Sequence, residues 1–184
     1  MVIAGKRRLL VALVSGAVLA LTGCESSTTE GEATATTPSM AASVPTGFDP
    51  CTDIPQSVLD AEGLRMKTDD DFGAGGVEWE GCQWAKVDGY AASIQTTNLT
   101  IQMVRDKGFP GTVEFTVDGR PAITSQRQET HTEAACSVNV ELTGGSLEFS
   151  LSNPPSRSET GYLDTCELAR SLAEKVVPSI PAGA

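Results

Sequence analysis

Five cysteines carry most of the chemistry that this sequence can offer. One follows an apolar N-terminal segment directly, and the other four are spread over the rest of the chain. No two of them are spaced as Cys-x-x-Cys, the arrangement typical of zinc ribbons and thioredoxin-type redox centres. The spacing therefore favours lipid attachment and disulfide bonds over metal or redox chemistry. The five residues are Cys24, Cys51, Cys82, Cys136 and Cys166.

The N-terminal segment has the order of features that is typical of a bacterial lipoprotein signal peptide. Three basic residues at 6–8 precede an apolar stretch at 9–21, which is too short to span a bilayer. The segment 21–24, LTGC, then resembles the bacterial lipobox, in which small residues precede a cysteine. This resemblance implies that residues 1–23 are removed as the signal peptide and that the Cys24 sulfur receives a diacylglycerol. An uncleaved anchor helix and a secretory signal with a coincidental cysteine are the alternatives.

Charge and composition describe the chain that remains after cleavage. It carries 10 basic and 24 acidic residues, a net charge of −14. Such a surface repels phosphate groups, so we expect no nucleic-acid partner, and the lipid on Cys24 must supply any attachment to an anionic bilayer.

Residues 24–47 are rich in Ser and Thr and contain no aromatic residue, which predicts a disordered tether. Glycosylated stalks have a similar composition, but a plain spacer is the simpler interpretation. We expect the protein on the outer face of the cell membrane, extending into the cell wall.

Two disulfides are predicted for the remaining four cysteines, because an exported domain is in an oxidising compartment. Three connectivities exist. Cys136 begins the alternating segment CSVNVEL, which places its sulfur on the buried face of a strand. Cys166 belongs to a helical apolar stripe, so both sulfurs face the junction of that strand and that helix. Cys82 lies near the first predicted helix, which Cys51 precedes. We therefore favour the pairs Cys51–Cys82 and Cys136–Cys166.

The sequence at 48–182 predicts a single domain that begins and ends with a helix. Residues 55–62 form the first helix, with Asp53 as its N-cap and a glycine directly after its last residue. Residues 65–76 are rich in Asp and Gly, which predicts a loop. Residues 163–177 form the last helix, which carries Cys166 and ends before a proline.

The middle of the domain predicts an antiparallel sheet. Three pairs of alternating segments flank the dipeptides Asp-Gly, Asp-Gly and Gly-Gly, which supply the positive φ that two-residue hairpin turns require. Residues 99–107 favour a short helix between the first two hairpins. The expected fold class is α+β: about six strands in three hairpins, with the N- and C-terminal helices packed on one face.

Several short motifs stand in a fixed order along this domain. They are FDPC at 48–51, GCQW at 81–84, the Gly-Arg turn at 119–120, the strand at Cys136, and the helix at Cys166 with its following Ile-Pro. Within the four-cysteine frame, these motifs resemble the actinobacterial lipoproteins grouped as domain of unknown function 3558. The resemblance covers about residues 47–181. It implies a lipoprotein of a Gram-positive actinobacterial envelope and brings no established activity or site to carry over.

Residues that could serve catalysis or metal binding do not form a recognisable motif. His131 is the only histidine, which excludes a multi-histidine metal site, and its polar neighbours predict a solvated loop. Residues 69–71 are consecutive aspartates, whereas a calcium loop of the EF type needs alternating carboxylates. The glycines at 73–76 do not follow the dinucleotide-binding pattern. Glu78 and Glu80 could form the carboxylate pair of a glycoside hydrolase. We predict no catalytic residue, no metal site and no cofactor.

Two tryptophans flank Cys82 and are expected on opposite faces of its strand. Trp84 shares the parity of Cys82, so we expect it in the core beside the disulfide. Trp79 is the candidate recognition aromatic, because exposed tryptophans often anchor ligands. The favoured hypothesis is a non-enzymatic envelope module that binds a partner protein, a cell-wall component or a small apolar ligand. A carboxylate-based hydrolase and a purely structural or antigenic surface module are the alternatives.

Overall fold

The computed structural model describes residues 40–126 and 132–184. Within these ranges one antiparallel sheet of eight strands is combined with four α-helices. Short 3₁₀ turns lie at Thr132–Ala134 and Val177–Ser179. The strands are β1 (Leu64–Asp69), β2 (Phe72–Ala74), β3 (Val77–Lys86), β4 (Ala91–Thr97), β5 (Val113–Val117), β6 (Arg120–Ser125), β7 (Ala135–Leu142) and β8 (Gly145–Ser152); the helices are α1 (Pro50–Asp53), α2 (Gln56–Glu62), α3 (Ile101–Asp106) and α4 (Thr165–Val176).

The predicted α+β class and the three predicted hairpins are confirmed. The strands lie in the order β1-β3-β4-β8-β7-β6-β5, with β2 also paired to β3. The predicted hairpins are β3–β4, β5–β6 and β7–β8, and they join through the β4–β8 and β6–β7 pairs. Strands β2 and β3 form a further hairpin that was not predicted. Asp118 and Gly119 both have positive φ, as a type I′ turn requires.

The loop prediction for residues 65–76 is wrong, because this segment contains β1 and β2. In β1 only Leu64 is buried, and the register with β3 shifts between Arg65 and Thr68, next to Met66 at φ 57°. An exposed, irregular edge strand has no apolar alternation for the sequence to reveal. The sheet is therefore larger than the six strands expected.

The N-cap prediction for Asp53 is also wrong. Asp53 lies inside α1, where its carboxylate accepts a hydrogen bond from the Asp49 backbone N–H at 2.9 Å. Helix α2 begins after Pro55 with no side-chain cap, and it ends at Gly63 in the left-handed conformation, as predicted.

Most of the apolar core lies between one face of the sheet and the helices α1, α2 and α4. Leu172, Ala173 and Val176 of α4 pack with Val138 of β7 and Phe149 of β8. Both predicted disulfides are confirmed on this face. Cys51–Cys82 joins α1 to β3 and Cys136–Cys166 joins β7 to α4, with Cα–Cα distances of 5.4 and 5.1 Å.

Helix α3 packs on the opposite face of the sheet. Ile101 and Val104 form a small apolar cluster with Ile123 of β6, whereas the next residue toward the N-terminus, Ala122, belongs to the main core. Thr100 caps α3 by accepting a hydrogen bond from the Met103 N–H at 3.2 Å. No helix within residues 40–126 or 132–184 is both long and apolar enough for a membrane span.

Residues 40–47, the last part of the predicted tether, lie against the domain. Val44 is buried, as is Phe48 after it. The Asn98 side chain is fully buried and donates a hydrogen bond from Nδ2 to the Ala41 carbonyl at 3.0 Å. The packed chain therefore extends at least to residue 40, ahead of the predicted boundary at 48.

Candidate functional site

The face of the sheet that α3 covers only in part carries rows of polar side chains. One row consists of four serines in register on neighbouring strands: Ser125 on β6, Ser137 on β7, Ser150 on β8 and Ser93 on β4. Ser125 and Ser137 are buried, and the other two are half-buried. We refer to these four residues as the serine row.

A second row runs beside the serine row across the same strands. It places Asn139 on β7 next to Glu148 on β8, then Gln95 on β4 and Gly81 on β3. The first three side chains are all buried, although each is polar. Buried polar groups on a sheet face require partners, so the contacts of this row decide what the face can do.

Glu148 is the centre of the polar face. It is only 2% exposed, and its Oε2 accepts hydrogen bonds from Trp79 Nε1 at 3.0 Å and from Asn139 Nδ2 at 3.2 Å. Ser137 Oγ donates to its Oε1 at 3.3 Å. A carboxylate removed from water is stabilised by several donors. These contacts therefore fix the Glu148 side chain in one position.

Gln95 connects this face to the segment between β1 and β2. Its Nε2 donates a hydrogen bond to the Asp70 carbonyl. A Cβ atom at Gly81 would lie 2.2 Å from the Ile94 carbonyl oxygen and 3.1 Å from Gln95 Cγ. The glycine at 81 is therefore what allows the Gln95 side chain to lie across the neighbouring strand.

An aromatic pair borders the polar rows at the β2–β3 hairpin. Phe72 lies opposite Trp79 in the register, and the two ring centroids are 5.0 Å apart with an interplanar angle of 29°. Trp79 is half-buried, whereas Phe72 is 57% exposed. Stacking of this kind holds both rings in place, while more than half of the Phe72 surface stays exposed.

A cavity of about 280 Å³ lies between the aromatic pair and the polar rows. We call it the Trp79 pocket. No Lys or Arg occurs among the described residues that line it. These residues are Asp70, Phe72, Trp79, Ser93, Gln95, Glu148 and Ser150.

Two buried polar atoms on the same face retain unused hydrogen-bonding capacity. Asn139 Oδ1 and Ser125 Oγ have no hydrogen-bond partner within residues 40–126 and 132–184. Both residues are fully buried. Native proteins rarely leave such atoms unpaired, and water or a bound polar group often satisfies them.

The predicted site residues fall in different parts of the molecule. Trp84 is buried in the main core with Cys82, and Trp79 lies on the other face of β3, next to Glu148. Glu78 and Glu80 are both exposed on β3. Cys24 and His131 lie outside the described residues.

Comparison with known proteins gives one family. The sequence pattern described as "Protein of unknown function (DUF3558)" matches residues 19–179. The chain belongs to the DUF3558 family. No curated protein and no solved structure matches it.

The DUF3558 domain has a second, acidic cavity of about 350 Å³ on the side of the Cys51–Cys82 disulfide. Asp69 Oδ1 lies 3.7 Å from Cys82 Sγ, and Asp71 accepts a hydrogen bond from the Gly81 N–H at 3.0 Å. Asp69 comes within 4.8 Å of both disulfide sulfurs, but sulfurs bonded to each other cannot act as thiolate ligands. This cluster is therefore not a metal centre.

The three consecutive aspartates of this DUF3558 chain do not act together. Asp69 and Asp71 line the acidic cavity, whereas Asp70 lines the Trp79 pocket on the other side. This is the divergence expected of successive side chains in an extended segment.

Sequence reasoning missed Glu148, Gln95 and the serine row in this DUF3558 domain. The signal was present as alternation: β7 and β8 carry polar residues at every second position, among them Asn139 and Glu148. Alternation normally indicates a solvated face. Only the sheet order shows that these positions meet on adjacent strands and are buried there.

Proposed function

We propose that this DUF3558 protein is a lipid-anchored binding protein on the outer face of the cell membrane, with the Trp79 pocket as its binding site for a polar ligand of the envelope. The observation that carries the proposal is the exposed Phe72 ring stacked on Trp79 at the edge of a pocket whose floor is the buried, hydrogen-bonded Glu148. Concave sites that combine an aromatic surface with a few fixed polar groups are typical of ligand pockets.

The sequence at residues 1–24 supports the anchoring part of the proposal. A basic segment, a short apolar stretch and a lipobox-like LTGC end at Cys24, the position that a lipoprotein needs for its diacylglycerol. Two acyl chains give stable membrane attachment, which one chain does not. The proposed tether between the lipid and the packed chain is 24–39, since residues 40–47 lie against the domain.

The lining of the Trp79 pocket supports a polar ligand over a lipid chain. Five of its seven described lining residues are polar or charged, and only Phe72 and Trp79 offer apolar surface. An acyl chain placed there would exclude water from the half-buried hydroxyls of Ser93 and Ser150 without replacing the hydrogen bonds that water makes. Among the ligand classes expected from the sequence, a component of the cell wall fits this lining best.

The anchoring part is tested by Cys24→Ala in the producing organism. We expect the variant to be released into the medium or to stay unprocessed, whereas the natural protein partitions into the detergent phase. A variant that reaches the mature mass and still partitions into detergent would contradict lipid anchoring.

The binding part is tested by co-sedimentation of the full-length protein in detergent with isolated cell walls. We expect Phe72→Ala and Trp79→Phe to reduce the bound fraction several-fold. Tyr162→Ala is the matched control, because Tyr162 is an aromatic residue with 79% exposure that does not line the pocket. Equal sedimentation of all four proteins would show that the Trp79 pocket is not the binding site.

A hydrolase acting at the same pocket is the second candidate, because Asp70 and Glu148 both line it. Three donors from neighbouring side chains already hold Glu148 in position, which favours a binding role for this carboxylate. The two functions separate on one measurement: a hydrolase releases soluble fragments from the cell walls over time, and a binding protein leaves their mass unchanged.

A further inference from the structure

We propose that the ligand of the Trp79 pocket is a saccharide, held with the face of one sugar ring on Phe72 and its hydroxyl groups on the polar rows. This inference deepens the proposed function and rests on it, because it assigns a chemical class to the ligand of the same pocket. Three features of the pocket carry it: the open aromatic surface, the mixture of donors and acceptors, and the rigidity of both.

The aromatic surface matches the C–H face of a pyranose ring. Such a face is weakly positive along its C–H bonds, and it packs flat against the electron-rich face of an aromatic ring. Phe72 is held at a ring-centroid distance of 5.0 Å from Trp79 and remains 57% exposed, so one flat surface is available without rearrangement. A fully buried aromatic pair would not offer this surface.

The polar lining matches hydroxyl groups, which both donate and accept hydrogen bonds. Carboxylates at Asp70 and Glu148 accept, the Gln95 amide does both, and the hydroxyls of Ser93 and Ser150 also do both. A polyol uses all three kinds of group at once. An acyl chain uses none of them.

The pocket is built before the ligand arrives, which weak saccharide contacts need. Trp79 is fixed to Glu148 at 3.0 Å, and Glu148 is fixed in turn by Asn139 and Ser137. Gln95 is fixed by its hydrogen bond to the Asp70 carbonyl. Side chains that are already ordered lose little further entropy on binding.

The test is calorimetric titration of the full-length protein in detergent with chitotetraose, cellotetraose and maltotetraose, with tryptophan fluorescence as a second readout. We expect at least one of these neutral tetrasaccharides to bind and to change the emission of Trp79. Phe72→Ala and Gln95→Ala should each weaken the affinity about tenfold or more, and Tyr162→Ala should leave it unchanged. Circular dichroism of each variant shows that the fold is retained.

The outcomes separate this inference from the proposed function. If the protein sediments with cell walls through the Trp79 pocket but binds none of the three tetrasaccharides, the saccharide class is wrong and the binding site stands. If a tetrasaccharide binds and Phe72→Ala and Gln95→Ala do not weaken it, the inference is also overturned, because the sugar then binds elsewhere. If wall binding itself is independent of Phe72 and Trp79, the proposed function fails as well.

Discussion

Trp79 Nε1 donates a hydrogen bond to Glu148 Oε2 at 3.0 Å, across 69 residues of sequence. This contact joins β3 to β8, which β4 separates in the sheet, and it lies on the face opposite the disulfides. Because of this contact, Trp79 and Glu148 lie side by side in the lining of the Trp79 pocket.

Glu148→Ala should lower the free energy of unfolding by about 2–4 kcal/mol, because it leaves buried donors of Trp79, Asn139 and Ser137 without an acceptor. Urea denaturation measures the difference in the free energy of unfolding, and we expect the variant and the natural protein to have the same m-value. Glu141→Ala is the control, since Glu141 is an exposed glutamate on neighbouring β7, and it should change stability by less than about 0.5 kcal/mol. Equal stability of both variants would mean that Glu148 is not a structural centre of the face.

Gly81→Ala should destabilise the domain by roughly 1–3 kcal/mol or more, because the added Cβ would lie 2.2 Å from the Ile94 carbonyl oxygen. Backbone atoms in the middle of a sheet cannot move aside as a flexible side chain can. Gly183→Ala is a suitable comparison, because nothing lies within 4 Å of its added Cβ. A thermal melt in which Gly81→Ala matches the natural protein would contradict the close approach of β3 and β4.

Replacing Cys136 and Cys166 together by Ala should lower the free energy of unfolding by on the order of 3–4 kcal/mol. The disulfide closes a loop with a sequence separation of 30, and its main effect in the chain-entropy model is on the unfolded state. The corresponding change at Cys51 and Cys82, with a separation of 31, should cost a similar amount. Chemical denaturation of both double variants checks this, and a negligible loss in either would show that its loop is constrained by other contacts.

Tyr90→Phe should change how stability depends on pH above about 10. Burial, together with the Glu62 carboxylate that accepts its hydrogen bond at 3.2 Å, raises the pKa of Tyr90 above its ordinary value of 10.0. The unfolded chain releases this proton first, so the contribution of Tyr90 to stability is complete below pH 10 and is lost as the pH rises toward the folded-state pKa.

The measurement is urea unfolding of the natural protein and of Tyr90→Phe at several values between pH 8 and about 11. The natural protein should lose more stability over this interval than the variant. Lys175 Nζ lies 2.6 Å from Oε1 of the same Glu62 carboxylate, so Lys175→Met in both backgrounds isolates the contribution of the tyrosine. Parallel curves for the two proteins would rule out the assigned role of the Tyr90 hydroxyl.

Local patterns were enough to predict the hairpins, the terminal helices and the disulfides. Asp118 and Gly119 form a tight turn because both adopt the positive φ that such a turn requires. The alternation around Cys136 and the helical apolar stripe that contains Cys166 indicate which way the two sulfurs point. The edge strand β1 was missed because it offers no such local pattern. It buries only Leu64 and is interrupted at Met66, so no pattern of alternate burial exists there to be read.

The sequence by itself therefore determined what depends on neighbours along the chain: the lipobox-like segment at Cys24, the α+β class and the pairing of cysteines whose faces follow from periodicity. Only the tertiary structure decided which residues form a site. Trp79, Gln95 and Glu148 lie on three different strands, and their contact depends on the order β3-β4-β8 within the sheet. Strand order is set by long-range packing, because alternation fixes the face on which a side chain lies but carries no information about the strand beside it.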